Sequence, residues 1–193
     1  SGPHGVKVIS MAFLLEDPDK PVIWRGPIKL GAIQQFIGDV AWGELDALII
    51  DFPPGTSDEP LTVSQNLPGI DGVVIVTTPQ EVALLDSRKS INFAKTLSVP
   101  VLGVVENMSA YVTPDGERHE LFGAGGGDAL ARQIGAPLLG SIPIDAAVTT
   151  GGDTGSPVVL SEGPAADAYR EIVEIIATEA APPISMEGGS ARL

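Results

Sequence analysis

Short apolar runs without polar interruption alternate with longer segments of helical periodicity, and this alternation constrains the fold more than any other feature. Ala47–Ile50, Val73–Val76 and Val101–Val105 are such runs. Runs of this length are typical of strands that are buried on both faces of a parallel sheet. The pattern also predicts a strand over Val6–Met11 and a short final strand over Leu138–Ile142.

Helical periodicity predicts helices between these strands. They cover Pro27–Val40, Glu81–Leu97, Asp128–Ile134 and Ala165–Thr178. Strands that alternate with helices indicate an α/β fold, with a mostly parallel sheet and helices on both faces. We expect one domain over residues 1–180 and a disordered tail over residues 181–193, which is rich in Pro and Gly.

Charge and composition exclude several classes of function. The chain has 11 basic and 25 acidic residues, a net charge of −14, which argues against a nucleic-acid partner. No run approaches the ~20 apolar residues of a membrane span, so we expect no membrane partner. The chain has no cysteine, which excludes disulfides, thiolate zinc sites and a cluster held by its own thiolates.

Ligands of parallel α/β sheets bind beyond the carboxyl ends of the strands, so the residues after each run are the candidate site. Asp51 follows the first run, where a carboxylate can hold Mg²⁺ through a water. Pro53 and Pro54 stiffen the chain after it, and Gly55 lets a backbone N–H approach a phosphate. The alternative at this point is an ordinary turn with a capping Asp.

Six further segments match one family's motifs in the order in which that family has them, and they favour the phosphate site at Asp51 over an ordinary turn. With the stretch from Trp42 to Asp58, the chain resembles the Mrp family of MinD/ParA-like P-loop ATPases. The matching segments are Trp24–Pro27 (WRGP), Thr77–Gln80 (TTPQ), Asp86–Lys89 (DSRK), Val105–Ser109 (VENMS), Phe122–Gly127 (FGAGGG) and Ile142–Asp145 (IPID).

The resemblance implies a cytoplasmic, homodimeric protein with a MinD-like P-loop NTPase fold. It implies that such a protein binds and hydrolyses ATP with Mg²⁺ and transfers iron–sulfur clusters to apo iron–sulfur proteins. Asp51 would be the acid that holds Mg²⁺ through water, Gly55 the switch glycine, and Asp58 a second switch residue. Pro54 would be one of the nucleotide-binding residues. Asn107 would hydrogen-bond the adenine edge, and Pro143 and Asp145 would line the other side of the base.

The sequence departs from the family pattern in its phosphate-binding loop. A GKGGVGK[ST] motif is absent, and Gly123–Gly127 is followed by Asp128 instead of the required lysine and hydroxyl. We therefore expect that the chain lacks the N-terminal portion of the domain and binds ATP weakly or not at all.

The second departure concerns the cluster cysteines. Thr113 and Gly116 stand where the family has C-x-x-C, and Pro114-Asp115-Gly116 predicts the turn of a tight hairpin. An iron–sulfur cluster is therefore doubtful for this chain. Two functions stay open: an ATPase in iron–sulfur cluster assembly, or a non-catalytic scaffold derived from this ATPase family.

Overall fold

The computed structural model describes residues 2–14, 17, 26–53 and 58–179. Its chain divides into two compact units, residues 1–70 and residues 71–193. Each unit is described by itself below. The expectation of one domain over residues 1–180 stays a prediction, and the expected tail lies outside the described residues.

The described part of the first unit contains two α-helices, α1 (Gly26–Gly38) and α2 (Asp58–Asn66). The helix predicted over Pro27–Val40 is confirmed as α1. Helix α1 packs against α2, and the Lys29 ammonium lies 3.5 Å from the Glu59 carboxylate. Helix α2 begins with two acidic residues, whose negative charge interacts favourably with the positive amino end of the helix dipole.

Two strand predictions in this unit are wrong. Residues 6–10 are not in a strand, and Met11–Leu14 form a 3₁₀ turn. Residues 47–50 are not in a strand either, and Ile49 is 86% exposed. The physical reason is that a strand needs a hydrogen-bonded neighbour, and within the described ranges neither segment pairs with another.

The second unit is built on three parallel strands, in the order Val73–Thr77, Val101–Glu106, Leu138–Ser141. Its strands are β1 (Val73–Thr77), β2 (Val101–Glu106), β3 (Tyr111–Val112), β4 (Arg118–His119) and β5 (Leu138–Ser141). Its helices are α3 (Glu81–Thr96), α4 (Gly126–Ile134), α5 (Ala146–Thr154) and α6 (Pro164–Glu179). The strand predictions at Val73, Val101 and Leu138 and the three helices predicted in this unit are confirmed, while α5 was not predicted.

Helices cover both faces of this sheet, as predicted. On one face, α3 and α4 pack against β1 and β2, and Ile91 and Val104 are 1% and 0% exposed. On the other face, Ile172 of α6 packs against Val105 and Leu139. Burial of each large apolar side chain contributes roughly 1.5–3 kcal/mol, so these two layers hold the sheet and its helices together.

Candidate functional site at the carboxyl ends of the strands

The carboxyl ends of the three parallel strands are in register. Thr77 of β1 lies beside Glu106 of β2, and Glu106 lies beside Ser141 of β5. The chain therefore leaves all three strands at the same edge of the sheet. The segments that begin at Thr78, Asn107 and Ile142 are brought together there, as predicted for these three. The same place was predicted for the segment after residues 47–50, which belongs to the first unit, and that part stays a prediction.

Asn107 is the first residue after β2, and its backbone is held by the neighbouring strand. Its N–H donates to the Thr77 carbonyl at 2.7 Å. Its side-chain Oδ1 accepts from the Met108 N–H at 2.9 Å. Met108 has a φ of +54°, a strained conformation for a long side chain and one often found at functional sites. Among the described residues, the Asn107 Nδ2 has no partner, so this amide can donate to a ligand.

The segment after Asn107 is tied to the segment after β5. Both the N–H and the hydroxyl of Ser109 donate to the Ile142 carbonyl, at 3.0 and 3.1 Å. The Ile144 N–H donates to the Ala110 carbonyl at 2.8 Å. Pro143 lies between these two anchored residues, so the predicted base-lining loop has a fixed position beside β2.

Asp145 caps the amino end of α5. Its Oδ1 accepts from the Ala147 N–H at 2.8 Å, which satisfies one of the free amides of the first turn. The other oxygen, Oδ2, has no partner in the part of the chain that the structure describes. The cap therefore holds the carboxylate in place and leaves one oxygen to accept a hydrogen bond.

Glu106 lies in a segment that the sequence placed at this edge of the sheet, but its side-chain bond was not predicted. Its side chain is buried, with 5% of the residue exposed, and its Oε2 accepts from the Gly127 N–H at 2.7 Å. Gly127 lies in the first turn of α4, and Gly126 before it lies against Pro79. The sequence did carry a signal for this bond. Glu106 is an acid at the end of an apolar run, and two glycines stand at the start of a helix.

The predicted acid and switch residues lie in the first unit. Asp51 is exposed and follows the unpaired segment 47–50. Asp58 is the first residue of α2, and its carbonyl accepts from the Thr62 hydroxyl at 2.9 Å. Pro54 and Gly55 lie outside the described residues. The roles of these four residues stay predictions.

The hairpin β3–β4 occupies the stretch where the family motif places two cysteines. The Thr113 N–H donates to the Glu117 carbonyl and the Gly116 N–H donates to the Thr113 carbonyl, both at 2.9 Å. The Thr113 hydroxyl also donates to the Asp115 carboxylate, and this bond lowers the pKa of Asp115 below its ordinary value. Gly116 has a φ of +89°, which suits glycine in a turn. The predicted hairpin is confirmed, and it closes on its own hydrogen bonds.

Two classes of feature are absent from the described ranges. Residues 2–14, 17, 26–53 and 58–179 contain no group of three or more His, Cys, Asp or Glu side chains arranged to hold a metal. No helix within these ranges has the length and apolar character needed to cross a membrane.

Comparison with known proteins gives the chain several close relatives. It is 49% identical over 173 residues to the iron-sulfur cluster carrier protein of Methanocaldococcus jannaschii, covering 89% of this chain and 60% of that protein. It is 51% identical over 175 residues to the protein of the same name from Saccharolobus solfataricus, covering 90% of this chain and 59% of that one. The chain thus spans about three fifths of the length of these curated relatives.

Solved structures agree with the fold. A nucleotide-binding protein from Archaeoglobus fulgidus in complex with ADP is 45% identical, with a TM-score of 0.60 over 67% of this chain and 53% of that chain. The cell division ATPase MinD from Pyrococcus furiosus superimposes with a TM-score of 0.56 over 79% of this chain and 59% of that chain, at 24% identity. The second likeness shows a shared fold alone.

The family assignment comes from a match to nearly the whole described chain. The ParA family model, described as NUBPL iron-transfer P-loop NTPase, matches residues 1–177. This match confirms the α/β P-loop NTPase fold that the motifs indicated, and it agrees with the identity to the curated relatives. The chain belongs to the ParA family of NUBPL-type iron-transfer P-loop NTPases.

Proposed function

We propose that this chain is the base-binding and switch portion of an ATP-dependent protein of iron–sulfur cluster assembly. The observation that carries the proposal is that two side-chain atoms without a partner in the described chain follow neighbouring strands. They are the donor Asn107 Nδ2 after β2 and the acceptor Asp145 Oδ2 after β5. The Archaeoglobus fulgidus relative, which is 45% identical, was solved with ADP, and this supports a nucleotide as the ligand.

The two groups match the hydrogen-bonding edge of adenine. The Asn107 Nδ2 donates to a ring nitrogen, and the Asp145 Oδ2 accepts from the exocyclic amine. Pro143 supplies an apolar surface for the face of the base between them. Because Asn107 and Asp145 are both held by bonds to the backbone, little side-chain freedom is lost when the base binds.

Asp51 is proposed as the acid that holds Mg²⁺ through a water molecule. Its exposed single carboxylate fits this ion, which keeps several waters and takes one or two carboxylates together with the phosphates of its substrate. When bound, Mg²⁺ neutralises charge on the β- and γ-phosphate oxygens. By the family resemblance, Gly55 would donate its N–H toward the γ-phosphate, Pro54 would belong to the same nucleotide site, and Asp58 would orient water at the start of α2.

The cluster is proposed as cargo that this chain does not itself ligate. The sequence has no cysteine, and the Thr113 hydroxyl and Asp115 carboxylate are already bonded to each other. We propose that the protein acts as a cytoplasmic homodimer, whose nucleotide state governs its contacts with apo iron–sulfur proteins. The names of its relatives support this class of partner.

A non-catalytic scaffold derived from the same family is the second candidate. It is favoured by the absence of cysteine from the sequence. A scaffold of this kind keeps the protein-binding surfaces of the family and has no use for an adenine site. Binding of the base therefore separates the two functions.

The test is a titration of the ¹⁵N-labelled chain with adenosine, followed by two-dimensional NMR. We expect weak binding, with shifts at the amides of Asn107, Met108 and Ala147. Purine riboside, which lacks the exocyclic amine, is the matched ligand and should bind more weakly, because Asp145 loses its donor. Equal binding of the two nucleosides would contradict the role of Asp145, and no shift at these amides would favour the scaffold.

Two further measurements test the metal and the cargo. In the presence of ADP, Mn²⁺ should broaden the amide signal of residue 51 in the wild-type chain and not in Asp51→Ala. Anaerobic incubation with iron and sulfide should give no stoichiometric cluster absorbance. A stable cluster on this chain would refute the statement that its cargo is ligated elsewhere.

A further inference from the structure

A buried carboxylate joins the end of β2 to the start of α4. Glu106 is 5% exposed, and its Oε2 accepts from the Gly127 N–H at 2.7 Å. The amides in the first turn of a helix have no partner within the helix, so a carboxylate there forms a strong, charge-assisted bond. We refer to this bond as the Glu106–Gly127 contact.

The surroundings of this contact leave no space for a side chain on Gly126 or Gly127. A Cβ atom built on Gly127 would lie 2.7 Å from the Cβ of Glu106. A Cβ atom built on Gly126 would lie 2.4 Å from the carbonyl oxygen of Pro79. The first turn of α4 is therefore packed against both the end of β2 and the loop that follows β1.

Asn107 directly follows Glu106, so this packing bears on the candidate base site. On the side of β1, the Asn107 N–H is held by the Thr77 carbonyl at 2.7 Å. On the side of α4, the residue before it is held by Gly127. These two attachments fix the backbone from which the Asn107 side chain projects.

We propose that Glu106 is a positioning residue for base recognition: through the Glu106–Gly127 contact it sets where the Asn107 amide points. This inference rests on the proposed function, because it assumes that Asn107 binds the base. What the role requires is an oxygen acceptor at the right distance, and a negative charge is not needed.

Two substitutions separate the effect of the length of the Glu106 side chain from the effect of its charge. Glu106→Gln keeps an oxygen acceptor at the same distance from Gly127 and removes the charge. Glu106→Asp keeps the charge and shortens the side chain by one methylene group, so its oxygen no longer reaches the Gly127 N–H. If Glu106→Ala fails to fold, this pair still carries the test.

The first readout needs no ligand. In ¹⁵N spectra of the whole chain, Glu106→Gln should leave the side-chain amide signals of Asn107 near their wild-type positions. Glu106→Asp should shift or broaden them and should move the Gly127 amide signal upfield. The urea unfolding midpoint, measured for each variant, identifies any general loss of folding. Unchanged Asn107 signals in folded Glu106→Asp would overturn the proposal.

The second readout is the affinity for adenosine. Glu106→Asp should bind about tenfold more weakly than the wild type, the equivalent of ~1.4 kcal/mol, and Glu106→Gln should bind as the wild type does. If both variants bind adenosine equally weakly, the charge of Glu106 matters, and the proposal that the length of its side chain sets the Asn107 position is overturned. If the wild-type chain binds no adenosine, the proposed base site fails, and the ligand-free spectra still decide the role of Glu106.

Discussion

Replacement of Gly126 by alanine tests the close packing of α4 against the loop after β1. Alanine is favoured over glycine inside a helix by about 1 kcal/mol, so helix propensity alone predicts a more stable protein. The structure predicts the reverse, because the new Cβ atom would lie 2.4 Å from the Pro79 oxygen and 3.0 Å from the Pro79 carbonyl carbon. Both are backbone atoms and cannot rotate away.

The expected size follows from these two opposing terms. Overpacking of a dense interior costs typically 1–3 kcal/mol, so after the gain in helix propensity we expect Gly126→Ala to lower the free energy of unfolding by up to about 2 kcal/mol net. Gly152 in α5 is the matched control, because it has no heavy atom within 4 Å of its built Cβ and, like Gly126, no positive φ. Gly152→Ala should raise the free energy of unfolding by up to about 1 kcal/mol.

The assay is urea unfolding followed by the NMR signal of the Val104 amide, which donates to the Pro137 carbonyl at 2.9 Å and so reports on the second unit. Gly126→Ala should unfold at lower urea than the wild type, and Gly152→Ala at the same concentration or higher. Equal stability of the two alanine variants would refute the close approach of α4 to Pro79.

Three further predictions concern the core, the helix cap and the hairpin. Ile91→Ala should lower the free energy of unfolding by about 2–5 kcal/mol, measured in the same urea assay, because this residue is fully buried. Asp145→Ala should lower it by about 0.5–2 kcal/mol through loss of the bond from Ala147, and Asp145→Asn, which keeps the cap, should not. Thr113→Val should raise the pKa of Asp115 toward its ordinary 3.8, measured by NMR titration of the carboxyl carbon. Because that pKa is lowered in the folded hairpin, the stabilisation is present above pH 3.8 and is lost as the pH falls through the folded-state pKa.

The second unit was predictable from sequence because its signals are local. The run that begins at Val101 has apolar side chains on both faces of the sheet. In α6, the apolar residues that recur at helical spacing, Ile172 among them, form the buried face. Helix α5 was missed because Gly151 and Gly152 weaken its helical signal. The cap at Asp145 was the local sign that a helix begins there.

The remaining features depend on contacts between distant parts of the chain. Four apolar residues at 47–50 carry the same signal as β1, yet only hydrogen bonds to a neighbour make a strand, and sequence does not show the neighbour. The partner of Glu106 is 21 residues away at Gly127, so neither residue reveals the contact alone. Asn107 directly follows β2 and Asp145 lies in the segment after β5, so the predicted strands brought both residues to the same edge of the sheet, while their roles stay predictions.

The central claim is that the Asn107 side-chain amide binds the base of a nucleotide. The chain has three asparagines, at positions 66, 92 and 107, so asparagine-selective ¹⁵N labelling gives a spectrum in which two of them serve as internal controls. On addition of adenosine, the account predicts that the Nδ2 signals of Asn107 shift while those of Asn66, which donates to the Thr62 carbonyl, stay in place. Unmoved Asn107 signals at saturating adenosine, or equal shifts in all three residues, would contradict it.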